Sequence, residues 1–177
     1  MQFEVEKDGF HGEYWQNKMP SNAAIISMVG EYPEGYMAKR WVKWLQKQCV
    51  NVLSMSPAKK NYSHHNYPLE RIENGVKWLK SHGNDKIGIV GASTTGTLAL
   101  TAASYFSDIT LTIAMTPSDF VWQGFEQGKK DGCDEWPVDG ESLFTYRGKP
   151  LAYMPFCYNH PKYWQAIKAE SKKTAIW

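Results

Sequence analysis

The fold is decided by the stretch IGIVGASTTG at residues 87–96. Its first half is an apolar run suited to a buried strand, and the TLALTAA that follows at residues 97–103 is typical of a helix. Ser93 lies at the sharp turn between them, which is the pattern of a nucleophile elbow. Such a turn holds the hydroxyl clear of the sheet and aims the amide of the next residue, Thr94, at an oxyanion formed on Ser93.

The motif departs from the usual G-x-S-x-G at one position and leaves two other interpretations open. Thr95 stands where the second glycine is usual, and Gly96 follows one residue later. Gly91 and Gly96 also have the glycine spacing of a phosphate-binding P-loop, but Thr97 follows where that loop needs a lysine. The remaining alternative is that Ser93 is only a small turn residue.

Composition limits the classes of protein to consider. With 177 residues, 42% hydrophobic and 21% charged, the chain is expected to form one globular domain with a substantial core. A net charge of +2 favours neither nucleic acid nor an anionic membrane as a partner. No apolar stretch is long enough to span a bilayer, and the first residues lack a signal-peptide pattern. Three widely spaced cysteines suit free thiols in the cytoplasm, and no residue pattern predicts a metal or a cofactor.

The order of the predicted elements supports the elbow. Strands are expected at residues 23–29, 50–55, 87–92 and 109–115. A hairpin is expected at residues 3–16, and helices at 37–48, 68–82 and 97–106. Strands that alternate with helices predict an α/β fold, a mostly parallel sheet with helices on both faces. Sites in such sheets form at the carboxyl ends of the strands, where Gly30, Ser93 and Thr116 lie.

Two helices show apolar residues at helical spacing. In the first predicted helix these are Met37, Trp41, Trp44 and Leu45, followed at the same spacing by the polar Gln48. In the second they are Leu69, Ile72, Val76 and Leu79.

Residues 117–160 interrupt this alternation with a segment rich in glycine, proline, tryptophan and charge. Its many aromatic residues argue against disorder, so we expect an ordered, cap-like insertion near the pocket. The alternative is a surface excursion whose aromatic side chains pack on the sheet. Residues 161–173 then predict an amphipathic helix.

Three blocks of sequence together resemble a known family. They are GASTTGTLAL at 91–100, IAMTPS at 113–118 and YRGKPLAYMP at 146–155. They are similar to the catalytic domain of acyl-CoA thioester hydrolases and bile acid-CoA:amino acid N-acyltransferases, which are α/β-hydrolases related to dienelactone hydrolase. The resemblance covers most of the chain from about residue 10 on, and the third block is its most specific part.

The resemblance implies a nucleophile at Ser93, followed later in the chain by a catalytic acid and a histidine. The family carries these two on further strands beyond residue 170, so we expect residues 1–177 to form a single, partial α/β-hydrolase domain lacking the last strands. Asp119 and His160 are the candidate substitutes for the acid and the base. We expect His82 to have a structural role at a helix end, and His64 and His65 to lie in an exposed loop.

The expected chemistry is acyl transfer through an acyl-enzyme on Ser93. The oxyanion would accept hydrogen bonds from the amide of Thr94 and from the loop after Gly30, with Glu31 as the first candidate and Tyr32 as the second. Lys39 and Arg40, with Lys129 and Lys130, are candidates to bind the phosphates of an acyl-CoA.

Three functions stay open: an acyl-CoA thioesterase or acyltransferase, a general carboxylester or dienelactone-type hydrolase, and a non-catalytic binding module. The expected substrate is therefore an acyl-CoA or an ester. If the strand at residues 109–115 has an open edge, that edge also predicts self-association.

Overall fold

The computed structural model describes residues 1–30, 32–56, 64–130 and 133–155. Glu31, His160 and the helix predicted at residues 161–173 lie outside these ranges.

A six-stranded sheet forms the centre of the molecule, in the order β1-β2-β4-β3-β6-β7. Its strands are β1 Gln2–Phe3, β2 Gly12–Trp15, β3 Ala23–Ser27, β4 Asn51–Met55, β6 Lys86–Ala92 and β7 Ile109–Met115, while β5, Tyr67–Pro68, belongs to a smaller sheet. The run β4-β3-β6-β7 is parallel, and β2 is antiparallel to β4. The predicted mostly parallel α/β sheet is confirmed.

Helices cover the two faces of this sheet. They are α1 Val5–Asp8, α2 Tyr36–Gln46, α3 Glu70–Ser81 and α4 Thr94–Tyr105. Helices α3 and α4 contribute Ile72, Val76 and Leu98 to the larger of two buried apolar clusters. Helix α2 contributes Val42 and Leu45 to the smaller cluster, and strand residues alternate between the two because successive side chains point to opposite faces.

The predicted hairpin at residues 3–16 is partly wrong. Strands β1 and β2 do pair antiparallel, but the helical turn α1 lies between them. Gly9 closes that turn at φ +77°, a left-handed conformation in which glycine is favoured.

The apolar stripe of the first predicted helix is only partly the buried one. Ala38, Val42 and Leu45 are the buried residues of this helix, whereas Met37 and Trp44 are 54% and 50% exposed. Sequence spacing could not separate the two stripes, because both repeat at intervals of three and four residues. In α3 the predicted face is confirmed, since Ile72, Val76 and Leu79 are buried.

Residues 117–155 contain strands that the sequence did not predict. Strands β8 Gln123–Lys130 and β9 Cys133–Ser142 form an antiparallel hairpin. Strands β10 Phe144–Tyr146 and β11 Lys149–Pro150 form a small sheet with β5, in the order β11-β10-β5.

This segment is anchored in the main core rather than folded apart from it. Leu143 and Phe144 belong to the larger apolar cluster, and Trp122, Phe125 and Tyr146 pack against it. That the segment acts as a cap over Ser93 stays a prediction.

Candidate active site

Ser93 lies at the turn between β6 and α4, at the carboxyl end of the parallel sheet. Its backbone adopts φ 54° and ψ −124°, a conformation that costs on the order of 1–3 kcal/mol for a residue with a side chain. Ser93 N–H donates to the Met115 carbonyl at 2.8 Å, and the Ser93 carbonyl accepts from Thr97 N–H at 3.1 Å. The turn is thus held on both sides, while Ser93 itself stays exposed.

Two glycines allow the strand and the helix to approach this closely. A Cβ at Gly91 would lie 2.0 Å from the carbonyl oxygen of Thr95, which no side chain can occupy without moving the backbone. A Cβ at Gly96 would lie 3.0 Å from the Met115 carbonyl oxygen. Gly96 therefore provides the close contact between α4 and the end of β7, although it comes one residue later than in the usual motif.

Thr95 has a structural task of its own. Its Oγ1 accepts a hydrogen bond from Ala92 N–H at 2.8 Å and donates one to the Ala92 carbonyl at 2.9 Å. The hydroxyl therefore joins the first turn of α4 to the last residue of β6, on either side of Ser93. This role could not be predicted from the sequence, in which only the departure from glycine is visible.

The two expected sources of oxyanion donors lie on neighbouring strands. Thr94 is the first residue of α4, so its N–H has no carbonyl partner within the helix. Gly30 follows β3, which pairs with β6, and Met28 N–H donates to the Val90 carbonyl at 2.8 Å. The chain then turns at Tyr32, whose carbonyl accepts from Gly35 N–H at 2.9 Å. The roles of Thr94, Glu31 and Tyr32 stay predictions.

Asp119 is exposed and lies in the chain after β7. It lines a groove of about 210 Å³ along α4, together with Thr97, Leu100 and Ser104, and its role as the acid stays a prediction. Its neighbour Ser118 is tied to the same helix, because Ser118 N–H donates to Thr97 Oγ1 at 2.9 Å. This bond between α4 and the chain after β7 is a second positioning contact that the sequence did not reveal.

The described histidines are engaged at other places. His82 stacks on Trp78 with ring centroids 4.0 Å apart, as suits a structural residue at the end of α3. His11 Nε2 lies 3.9 Å from Glu34 Oε2.

His64 contradicts the sequence interpretation. It is 8% exposed rather than solvated, and it pairs with Phe125 of β8 through two backbone hydrogen bonds of 2.9 Å. Burial, with a smaller contribution from the neighbouring His65, lowers the pKa of His64 to about 4. His65 lies between two glutamates of the hairpin, with Nδ1 2.5 Å from Glu141 Oε2 and Nε2 3.5 Å from Glu126 Oε1. The two histidines therefore attach the hairpin to the chain before β5.

Within the described residues, no three or more His, Cys, Asp or Glu side chains are grouped so that they could hold a metal ion. None of the helices there is long and apolar enough to cross a membrane.

Comparison with known families identifies the chain at a coarse level. Residues 67–176, more than half of the sequence, match the family described as BAAT / acyl-CoA thioester hydrolase C terminal. Comparisons with curated proteins and with solved structures give no significant match. The chain belongs to this family, which is of the α/β-hydrolase type, as the resemblance of the three sequence blocks predicted.

Proposed function

We propose that this member of the acyl-CoA thioester hydrolase family is a serine hydrolase that acts on an acyl-CoA through an acyl-enzyme on Ser93. One observation carries the proposal: an exposed serine with φ 54° and ψ −124° at the end of a central parallel strand. A serine that served only as a turn residue would not need this backbone strain, nor the bonds from Thr95 and Met115 that maintain it.

The proposed reaction has two halves. The Ser93 hydroxyl attacks the thioester carbonyl and gives its proton to a histidine base, and the C–S bond breaks as the CoA sulfur takes up that proton. Water or an amine then attacks the acyl-enzyme and releases Ser93. The amides of Thr94 and of Glu31 or Tyr32 stabilise each oxyanion, and one such donor contributes about 10²–10³ in rate.

His160 is our candidate for the base, and Asp119 is our candidate for the acid. The base can be tested with a fluorophosphonate probe, which should label Ser93 and leave Ser93→Ala unlabelled at this position. His160→Ala should slow the labelling, whereas His82→Ala, a change at the end of α3, should not. Equal rates for both variants would remove His160 from the mechanism.

Two other functions stay as alternatives. A general carboxylesterase or dienelactone-type hydrolase would use the same elbow on an oxygen ester. Its test is the ratio of kcat/KM for an acyl-CoA and for an oxygen ester with the same acyl group. A non-catalytic binding module would show no labelling of Ser93 at all. The cytoplasm, where acyl-CoA and reduced cysteines both occur, is the location that we propose.

Self-association belongs to the proposal as well. In the described part of the chain β7 is the last strand on its side of the sheet, and Leu111 and Ile113 are 52% and 37% exposed. An open edge with apolar side chains favours pairing with a second copy. Light scattering should show dimers or larger species, which Leu111→Lys should reduce. A monodisperse monomer before the substitution would refute this part.

A further inference from the structure

The outer flank of α2 carries a groove that the proposed chemistry does not use. Met37, Arg40, Trp41 and Trp44 line it, and it encloses about 400 Å³. Their spacing of three and four residues places them along one side of the helix, next to the buried stripe. Large apolar side chains clustered on a surface mark an interaction site more often than single ones do.

The aromatic wall of this groove is held in place from beneath. Trp41 is half-buried and packs against the smaller apolar cluster of the core. Trp44 meets Trp41 edge-to-face, with ring centroids 5.4 Å apart and an interplanar angle of 76°. Because one indole is anchored and orients the other, Trp44 offers a flat ring to the solvent at little entropic cost.

The charges of α2 and of Lys47, which follows it, have a single sign. Lys39, Arg40, Lys43 and Lys47 are all exposed, and the sequence of α2 contains no acidic residue. The Arg40 guanidinium lies 5.6 Å from the centre of the Tyr36 ring. Within the described residues none of these four cations forms an ion pair. Their charge is therefore available to an anion with several phosphates.

We propose that this groove binds the phosphorylated adenosine end of CoA. The adenine stacks on Trp44, and the phosphates lie against Arg40, Lys43 and Lys47. The identity of the ligand rests on the proposed function, and the groove adds where its charged end is recognised. The groove lies before residues 67–176, the part of the chain that matches the family.

The position of α2 suits such a ligand. The helix begins just after the loop at Gly30, which follows β3, and β3 is the neighbour of β6, the strand that leads to Ser93. From Met37 to Trp44 the helix extends about 10 Å along its axis. A pantetheine arm that starts at Ser93 leaves the site over these strand ends. It can then follow α2 toward Trp44.

An anionic membrane is the competing partner, because aromatic and basic residues also favour bilayer surfaces. Helices that lie in a bilayer interface separate a polar face from an apolar one. The outward side of α2 has no such separation, because Arg40 and Tyr36 lie on it together with Trp44. Trp41 packs against the core. The groove therefore fits a nucleotide better than a lipid surface.

The test is calorimetric binding of CoA and of adenosine 3′,5′-bisphosphate to the full chain. Trp44→Ala and Lys43→Glu should each weaken binding at least about tenfold, while Trp44→Phe keeps most of it. Lys77→Glu, on α3 and so on the opposite face of the sheet, is the matched charge control and should change little. Binding should fall between about 0.1 M and about 1 M salt, as the screening length shortens from about 10 Å to about 3 Å. Circular dichroism confirms that each variant is folded.

The outcomes separate this inference from the proposed function, because CoA binding does not require Ser93. Binding that Trp44→Ala and Lys43→Glu weaken and Ser93→Ala leaves unchanged supports the groove, even if no thioesterase activity is found. If the protein has thioesterase activity and both groove variants bind CoA as tightly as the wild type, the proposed role of the groove is wrong and the proposed function stands. If the protein binds phosphatidylserine vesicles in a way that depends on Trp44 and binds neither nucleotide, the groove is a membrane-binding site and not a CoA site.

Discussion

Thr95→Val tests the structure of the elbow most directly. Valine has nearly the shape of threonine, so the substitution removes the hydroxyl and leaves the packing in place. The hydroxyl makes two hydrogen bonds with Ala92, of 2.8 Å and 2.9 Å. Each such bond contributes about 0.5–1.5 kcal/mol net, and a buried donor left without a partner costs about 1–3 kcal/mol. Thr95 is 9% exposed, and Ala92 is only half-buried and can regain part of its bonding from water.

We therefore expect Thr95→Val to lower the free energy of unfolding by about 1–3 kcal/mol. Thr94→Val is the matched control, since it makes the same chemical change one residue earlier, at a half-buried side chain. That control should stay within about 0.5 kcal/mol of the wild type. Thr95→Ser keeps the hydroxyl and should lie between the two.

Urea denaturation followed by circular dichroism measures these differences, with the m-value as a check that the unfolded state has not changed. Labelling of Ser93 by a fluorophosphonate should also slow in Thr95→Val at temperatures where the protein is fully folded, because the turn that presents the hydroxyl has lost a support. If Thr95→Val and Thr94→Val have the same stability and the same labelling rate, Thr95 does not hold the elbow.

Three further predictions concern the rest of the molecule. Gly91→Ala should prevent folding or lower the free energy of unfolding by more than about 3 kcal/mol, because its Cβ would lie 2.0 Å from the Thr95 carbonyl oxygen. Gly83→Ala, at φ +79° with open space around it, should lower it by only about 1 kcal/mol in the same urea titration. Phe144→Ala should lower the free energy of unfolding by about 3–5 kcal/mol, measured by thermal unfolding, because Phe144 of β10 belongs to the larger apolar cluster. Phe120→Ala, at a half-buried residue of the same segment, should lower it clearly less. The pKa of His64 is about 4 in the folded state and 6.5 in the unfolded state, so the unfolded state takes up the proton first as the pH falls. The free energy of unfolding should therefore be constant above about pH 6.5 and fall by up to about 3 kcal/mol toward pH 4, and His64→Gln should flatten that profile.

The sequence predicted those parts of the fold in which local pattern and tertiary packing agree. Strands β3, β4 and β6 are short, mostly apolar runs, and a buried parallel strand needs little else. The stripe on α3 was identified correctly because its apolar residues have only one face available. In α2 the same kind of pattern described two faces at once, and only the packing against β3 and β4 shows which of them is buried.

The second half of the chain was beyond prediction for a different reason. Strand β5 has two residues and pairs in parallel with β10, whose register places Tyr67 opposite Phe144. Pairing over such a distance in sequence leaves no local periodicity to detect. The same applies to His64: a histidine in a polar stretch gives no sign of burial until its backbone pairs with Phe125.

At the elbow, prediction identified the nucleophile but not its supports, and the difference is physical. A strand, a small turn and a helix have to be adjacent in the sequence, so Ser93 can be found from its neighbours alone. The contacts that hold it strained come from Met115 on β7 and from the hydroxyl of Thr95, and neither belongs to the motif as it is usually written. The threonine that breaks the motif is one of the residues that maintain it. Because Gly96 supplies the close approach to Met115, position 95 is free to carry a side chain that bonds back to β6. The displaced glycine and the bonding threonine are therefore one arrangement, so that Thr95→Gly alone should loosen the elbow rather than restore the common motif.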